Sequence, residues 1–357
     1  MRFALAIVLA SLALAPLAIP QPAKPAEFVP KPHPLGYVAL KASQPPVING
    51  KLDDEAWKAA AWSEDFGDIE GDKKPKPRHR TRMKMLWDDK ALYIAAELDE
   101  PDVWATITEH DAVIFQDPDF EVFLDPDGDN HLYGELEVNA RNTTWDLLLT
   151  KPYRDGGKAI NSWEIAGLKT AVAIDGTLND PKDKDRGWTV EIAWPWASLK
   201  ELGDSAAPPK DGDQWRINFS RVEWDTEVKD GKTVKVKGKP EYNWVWSPQG
   251  AIDMHRPERW GYLQFSTAAK GAPKFVPDPD AALKDWLHDA YYSQGDYRKQ
   301  HGKYAATVGD LGGAFAKQMA WGEATFETTK RGYTATAGEK NRRWSIAQDS
   351  RILRVGD

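Results

Sequence analysis

The chain has 357 residues, a formal net charge of -8 and no cysteine. That length is enough for a sizeable core and suggests about two domains. The mild acidity argues against a nucleic-acid partner, which would select a basic face, and the lack of cysteine excludes disulfides, thiolate metal sites and a cysteine nucleophile. Of the 17 tryptophans, most are expected in the core. The indole ring also stacks on flat apolar ligand faces, including those of sugars.

The chain begins "MRFALAIVLASLALAPLAIPQPA". Arg2 precedes an apolar run from Phe3 to Ala15, too short for a comfortable span of ~20 residues and followed by prolines. Residues 1–20 read as a secretory signal peptide, with an uncleaved anchor as the alternative. The expected location is therefore the periplasm or the outside of a bacterial cell, with no membrane span once the signal is removed. Residues 21–36 are rich in Pro, Ala and Lys and read as an extended linker.

Residues 37–266 carry strand signals. In "VINGKLDDEAW", Asn49-Gly50 marks a turn, and Asp53 or Asp54 is placed to cap a short helix carrying Trp57. "TRMKMLWDDKALYIAAELDEP" reads as a hairpin around Asp88-Asp89-Lys90. "DFEVFLDPDGDNHLYGELEVNARNTTWDLLLT" holds three strands. "GWTVEIAWPWASL" alternates Trp188, Val190, Ile192 and Trp194, and "DQWRINFSRVEW" and "RWGYLQFS" complete the set. Short strands, Gly/Pro/Asp turns and few helices predict a mainly β fold, an antiparallel β-sandwich of jelly-roll type. "KDGKTVKVKGKP" is expected as a solvated basic hairpin tip. After "STAAKGAPKFVPDPD" the period changes. Leu283, Trp286, Leu287, Ala290, Tyr291 and Tyr297 fall on one helical stripe. Residues 267–357 are expected as a linker and a small α+β appendage. "YRKQHGKYAATVGDL" there resembles, weakly, the pattern that follows the helix in pilin-like proteins. That likeness implies a protein partner in the cell envelope.

"HLYGELEVN" alternates without a break, so His131, Tyr133, Glu135, Glu137 and Asn139 are expected on one face and Leu132, Gly134, Leu136 and Val138 in the core. Glu121 shares this parity from the preceding strand. Carboxylates and amides match sugar hydroxyls, each both donor and acceptor, and a ring beside them covers the C–H face. The alternative is an ordinary solvated sheet face. Glu135 and Glu137, about 7 Å apart along one strand, approach a sugar from the same side, whereas a glycosidase needs acid and base on opposite sides of the bond. Arg221 is placed at a rim of the sheet, with Trp246 beside it as a stacking ring and His255 in the loop before the last strand. "DPDGDN" offers Asp125, Asp127 and Asp129 as hard oxygen ligands for calcium, or forms a plain turn.

The pieces "VINGKLDDEAW", "LWDDKALYIAAEL", "DFEVFLDPDGD", "GWTVEIAWPWASL" and "RWGYLQF", in that order, resemble the family 9 carbohydrate-binding modules over about two thirds of the chain. "INFSRVEW" and "WVWSPQGAIDMHRPERWGYLQF" are similar to its stand-alone bacterial branch. The resemblance implies a non-catalytic β-sandwich that binds sugar chain ends or small saccharides, often with structural calcium. It places the family's carboxylate on Glu121 and its asparagine on Asn139. Glu137 stands where an arginine is expected. The two tryptophans that sandwich the sugar align with Phe115 and the neighbourhood of Met254, neither of them Trp. The leading expectation is a secreted saccharide-binding protein without catalytic residues, serving polysaccharide catabolism. A glycoside hydrolase, or an envelope interaction module that has lost sugar binding, are the alternatives.

Overall fold

The structure, a computed structural model, describes residues 31–205, 207–268, 273–312, 315 and 324–356. The signal peptide expected over 1–20 and most of the linker lie outside these residues. Among the described residues no helix is long and apolar enough to cross a membrane.

The strands of the main body are, in chain order, β1 (Gly36–Lys41), β2 (Gly67–Asp68), β3 (Thr81–Trp87), β4 (Ala91–Asp99), β5 (Asp119–Asp125), β6 (Tyr133–Asn139), β7 (Thr144–Leu149), β8 (Ala159–Ile160), β9 (Lys169–Asp175), β10 (Gly187–Pro195), β11 (Gln214–Glu223), β12 (Thr226–Lys229), β13 (Lys232–Lys235), β14 (Tyr242–Val245) and β15 (Gly261–Ser266). All but β12 and β13, which form a separate hairpin, join one sheet in the order β8-β7-β6-β5-β11-β15-β1-β3-β4-β10-β9, with β14 and β2 hanging from β11. The pairs are antiparallel except around β1, which runs parallel to both β15 and β3.

The sheet curls so that its two halves face each other as a sandwich. Period-2 alternation causes this. The even residues of β4, β5, β6 and β10 and the odd residues of β3 and β11 share one apolar cluster, including Met85, Ile94, Val122, Leu136, Ile192 and Phe219. Gly134 sits on this inner face because space is short. A Cβ there would meet Leu202 Cδ1 at 2.8 Å and Trp194 Cζ2 at 3.3 Å. Most tryptophans are buried in the cores, as their number suggests.

Two local expectations change. The helix near Trp57 is a single 3-10 turn, Glu55–Ala59, and no side chain caps it. Asp54 instead accepts the Val47 N–H, while Glu191 receives the Gly50 N–H and the Trp57 indole. The even residues of "HLYGELEVN" are not all in the core. Asn130 and Leu132 have positive φ, so the strand starts only at Tyr133. Leu132 is exposed, and His131 turns away to the Asp349 carbonyl.

Past residue 273, α1 (Ala281–His301) packs on a four-stranded antiparallel sheet, β16 (Thr325–Thr328), β17 (Tyr333–Glu339), β18 (Arg342–Ala347) and β19 (Ile352–Arg354). Leu283, Trp286, Leu287 and Ala290 form the buried helical stripe. This unit is docked on the sandwich by specific bonds. Asn130 Nδ2 lies 2.9 Å from His288 Nε2 and donates to the Ser350 carbonyl, and the Ile352 N–H donates to the Asp129 carbonyl.

Candidate functional site

The site is built on the outer face of β11-β5-β6-β7. Register decides its composition. Glu121 lies directly opposite Glu137 on β6 and opposite Ser220 on β11, while Phe123 faces Glu135. Trp145 faces Glu137 from β7, and Leu147 faces Glu135. Asp119 continues the row beside Val222, whose N–H it accepts at 3.2 Å. Odd residues of β5 and β6 thus bring Asp119, Glu121, Glu135 and Glu137 to one face, with Asp125 at the end of β5.

This face is roofed rather than solvated. The segment before β15 folds over it. Met254 and His255 contribute to a groove of about 220 Å³ that Phe115, Glu121, Phe123, Glu135, Glu137, Trp145, Tyr153 and Glu241 also line. Beneath the roof, Phe123, Tyr133, Leu147, Leu149 and Trp260 make a small apolar cluster. Tyr133 is wholly buried, and its hydroxyl lies 2.9 Å from His255 Nδ1. Tyr153 meets the His255 ring edge-on with centroids 4.5 Å apart. Burial and the nearby Arg154 charge lower the His255 pKa to about 4, so the imidazole is neutral and accepts the tyrosine hydroxyl.

The acids are held in an unusual state. Glu121 is 5 % exposed, Glu135 5 % and Glu137 2 %. Burial, then the charge of Glu241, pushes the Glu121 carboxyl up to about 7. Burial and the charge of Glu121 push Asp119, Glu135 and Glu137 well above the ordinary carboxylate range. Glu137 accepts the Phe115 N–H at 2.9 Å, but Glu135 Oε2 and Asp119 Oδ2 have no partner among the described residues. A buried carboxyl that keeps its proton is a donor as well as an acceptor. A row of such groups beside aromatic rings can satisfy a ligand rich in hydroxyls.

The structure thus gathers Phe115, Glu121, Glu135, Glu137, Met254 and His255 at one groove, with Tyr133 beneath it. It places three other expected residues elsewhere. Asn139 is consumed: its Nδ2 donates to the Ile107 carbonyl and to Asp117, and its Oδ1 accepts from Arg141 N and Thr143 N. It staples a loop to the β6–β7 turn and offers nothing to a ligand. Arg221 lies on the inner face, because Ser220 rather than Arg221 shares the outer face with Glu121. Its guanidinium pairs with Glu100 and Glu223 and lies over Trp244. Trp246 is a core ring 1 % exposed. It packs over Gly261, where a Cβ would meet its Cζ3 at 2.3 Å.

Sequence reading missed Trp145, Tyr153, Glu241 and Asp119. Trp145 and Asp119 were accessible through strand parity across the β6–β7 and β5–β6 hairpins. Tyr153 and Glu241 arrive from loops and carry no periodic signal. A larger recess, about 510 Å³, opens between Gly50, Arg80, Asp175 and Arg186. Two of its arginines are paired, Arg80 with Asp99 and Arg186 with Asp175, and its ring, Trp188, is buried.

In the "DPDGDN" turn, ligand atoms of Asp125, Asp127 and Asp129 lie within 4.8 Å of one another. Burial and the charges of Asp127 and Asp129 hold the Asp125 carboxyl well above its usual range. The carboxylate oxygens accept from nearby backbone, Asp125 from Gly128 N and Asn130 N, Asp127 from Asp129 N and Asp204 N, and Asp129 from His131 N, while Arg351 Nε donates to Asp129 Oδ2 at 2.7 Å. That is the bonding of an Asp/Gly turn, and the same three hard carboxylates are the residues that would hold a divalent cation such as calcium.

Residues 48–264 match the family model described as carbohydrate family 9 binding domain-like. Three solved structures are similar to the chain, each covered over its whole length. A Bacteroides uniformis protein whose carbohydrate binding is inferred has 16% identity and a TM-score of 0.47 over 65% of this chain. A family 9 carbohydrate-binding module of Caldicellulosiruptor kristjanssonii in complex with cellotriose has 17% identity and a TM-score of 0.39 over 68%. The glucose complex of a module from that organism has 16% identity and a TM-score of 0.39 over 66%. Among curated proteins none matches the chain.

Proposed function

The chain belongs to the family 9 carbohydrate-binding domains, and from that premise we propose that the groove over β5, β6 and β11 binds the end unit of a saccharide without cleaving it. The observation that carries this reading is convergence. Carboxyl groups from two strands and the ring of Phe115 line one groove of about 220 Å³, a size suited to a single sugar ring. Glu121, Glu135 and Glu137 all rise from one sheet face, so they reach a sugar from one side. Hydrolysis requires carboxyls flanking the bond, and Glu241, from the loop before β14, is the groove carboxyl that stands apart from this row. The raised carboxyl pKa values support hydrogen bonding in both directions to hydroxyls. The N-terminal leader supports secretion to the cell envelope or beyond, and polysaccharide catabolism is the role that fits such a protein. Calcium at Asp125, Asp127 and Asp129 would brace the turn beside the docked C-terminal unit.

The test is calorimetric titration of the full chain with a panel of mono- and oligosaccharides. Binding by at least one sugar is expected. Glu121→Gln should weaken it by roughly tenfold, the cost of about one charge-assisted hydrogen bond, without lowering the melting temperature. No binding across the panel by a folded sample would remove the reading. Release of reducing sugar from any polysaccharide would replace it with the hydrolase.

A further inference from the structure

A second cluster lies outside the groove. His110 and Asp111 sit in the loop before β5, Asp146 on β7 and Glu164 in the loop after β8. His110 Nε2 is 3.4 Å from Asp111 Oδ1, 3.7 Å from Asp146 Oδ1 and 3.2 Å from Glu164 Oε2. Ligand atoms of His110, Asp146 and Glu164 all fall within 4.8 Å of one another.

Two observations distinguish this from a surface ion pair. The first concerns the ring. His110 Nδ1 lies 3.0 Å from the Thr144 carbonyl, which it serves as a donor. The other nitrogen is thereby aimed at the three carboxylates, the arrangement in which a backbone carbonyl fixes the tautomer of a metal-binding histidine. The second concerns Asp146, which is 1 % exposed. Its Oδ2 accepts the Ile165 N–H, but its Oδ1, which faces His110, has no partner among the described residues. Asp111 Oδ1 has none either. A proton on Nε2 makes one good hydrogen bond and leaves the other oxygens bare, and a buried bare carboxylate is costly.

An ion held by His110, Asp146 and Glu164 gives the buried Asp146 Oδ1 its missing partner. In a tetrahedral site with bonds of about 2.0–2.2 Å, neighbouring ligand atoms stand about 3.3–3.6 Å apart. The observed separations from Nε2 bracket that range. We propose that His110, Asp146 and Glu164 form a binding site for a divalent transition-metal ion of the zinc class. One imidazole among carboxylates favours such an ion over the all-oxygen shell of calcium. His110 and Glu164 are exposed, so the ion enters from solvent. It ties the loop that leads into Phe115 to β7 and to the segment after β8, and so steadies one wall of the groove.

The experiment uses the full chain, freed of metal with a chelator and titrated with zinc chloride in millimolar calcium, which saturates the aspartate turn. One tight zinc ion per chain is expected. Cobalt(II) in its place should give the intense visible absorption of a tetrahedral site. Loss of an outer partner of a metal ligand costs 10–100-fold, so His110→Gln, which removes a direct ligand, should weaken zinc binding by more than about 100-fold. Glu164→Gln, at a still more exposed position, should weaken it as well. Near-ultraviolet circular dichroism checks that both variants fold. If the wild-type chain takes up no zinc, or His110→Gln takes it up unchanged, the cluster is a protonated histidine among acids and the proposal fails.

Discussion

Replacing Glu137 by glutamine removes one of two carboxylates that face each other across β5 and β6. Like charges directly opposite destabilise a strand pair, and burial has raised the pKa of both groups. A group whose folded pKa is raised contributes stability that is complete below its unfolded pKa and lost as pH rises through the folded value. The wild-type chain should therefore lose melting temperature between about pH 5 and 8. Glu137→Gln should lose less, its advantage widening with pH to about 1 kcal/mol, or 2–4 °C. Thermal melts across that range decide the matter. Parallel wild-type and variant curves would show that the pair carries no repulsion. Asn139→Ala should behave in the opposite way. Its amide makes four hydrogen bonds to a loop and a turn, so its loss should cost roughly 2–4 kcal/mol by denaturant titration and affect a ligand only through the fold. Sequence similarity alone marks Asn139 as a ligand residue. Parity cannot tell an open amide from one already satisfied, because its partners, Ile107 and Asp117, come from a loop with no periodic signature.

The helix α1 carries a comparable switch in the acid direction. His288 is buried against Asn130, and burial holds its pKa at about 4 despite the nearby Glu258. A depressed pKa contributes stability above the unfolded value, near 6.5, that is lost as pH falls toward the folded value. Acidification from pH 6.5 to 4 should thus weaken the docking of α1 by up to roughly 3 kcal/mol, at 1.4 kcal/mol per unit. The same range should weaken the roof over the groove, where His255 is also held at about 4. Amide hydrogen exchange in α1 at pH 7 and pH 5 reads the first effect, and unchanged protection would exclude it. Elements such as β10 and the helix were legible because their core-facing positions are apolar and strictly periodic, so Trp188, Val190, Ile192 and Trp194 announce their strand although its other face is covered too. The outer face of β6 was harder. Its alternation gave the row correctly from Tyr133, but nothing in "HLYGELEVN" shows that Met254 and His255 arrive more than a hundred residues later to cover it. The same limit explains Arg221. It was expected at a rim, where the structure has a buried ion pair with Glu100, a partner on the far side of the sandwich.

At the scale of the whole molecule, the sandwich and the C-terminal unit share buried bonds through Asn130, Asp129 and Glu258. The last of these accepts from Arg154 and from the Tyr292 hydroxyl of α1. They should melt as one cooperative unit. A chain ending at residue 268 strands these partners and should melt at least several degrees lower, by about 1 kcal/mol for each group left unpaired. Equal melting temperatures for the two chains would show the docking to be passive. Chelation belongs to the same scale. On the proposal that calcium binds the aspartate turn, a chelator should lower the melting temperature of the wild-type chain and leave Asp127→Asn nearly unmoved. The strand that unites the two halves, β1, has one more consequence. Among the described residues it is the first strand in the chain, yet its neighbours are β3 and β15, and β15 follows more than two hundred residues later. Until then the growing chain presents an unpaired strand edge, the hazard that invites neighbouring chains to pair. A chain that lacks β15 is therefore expected to aggregate through that edge, and light scattering of a truncation before residue 261 against the full chain reads the effect.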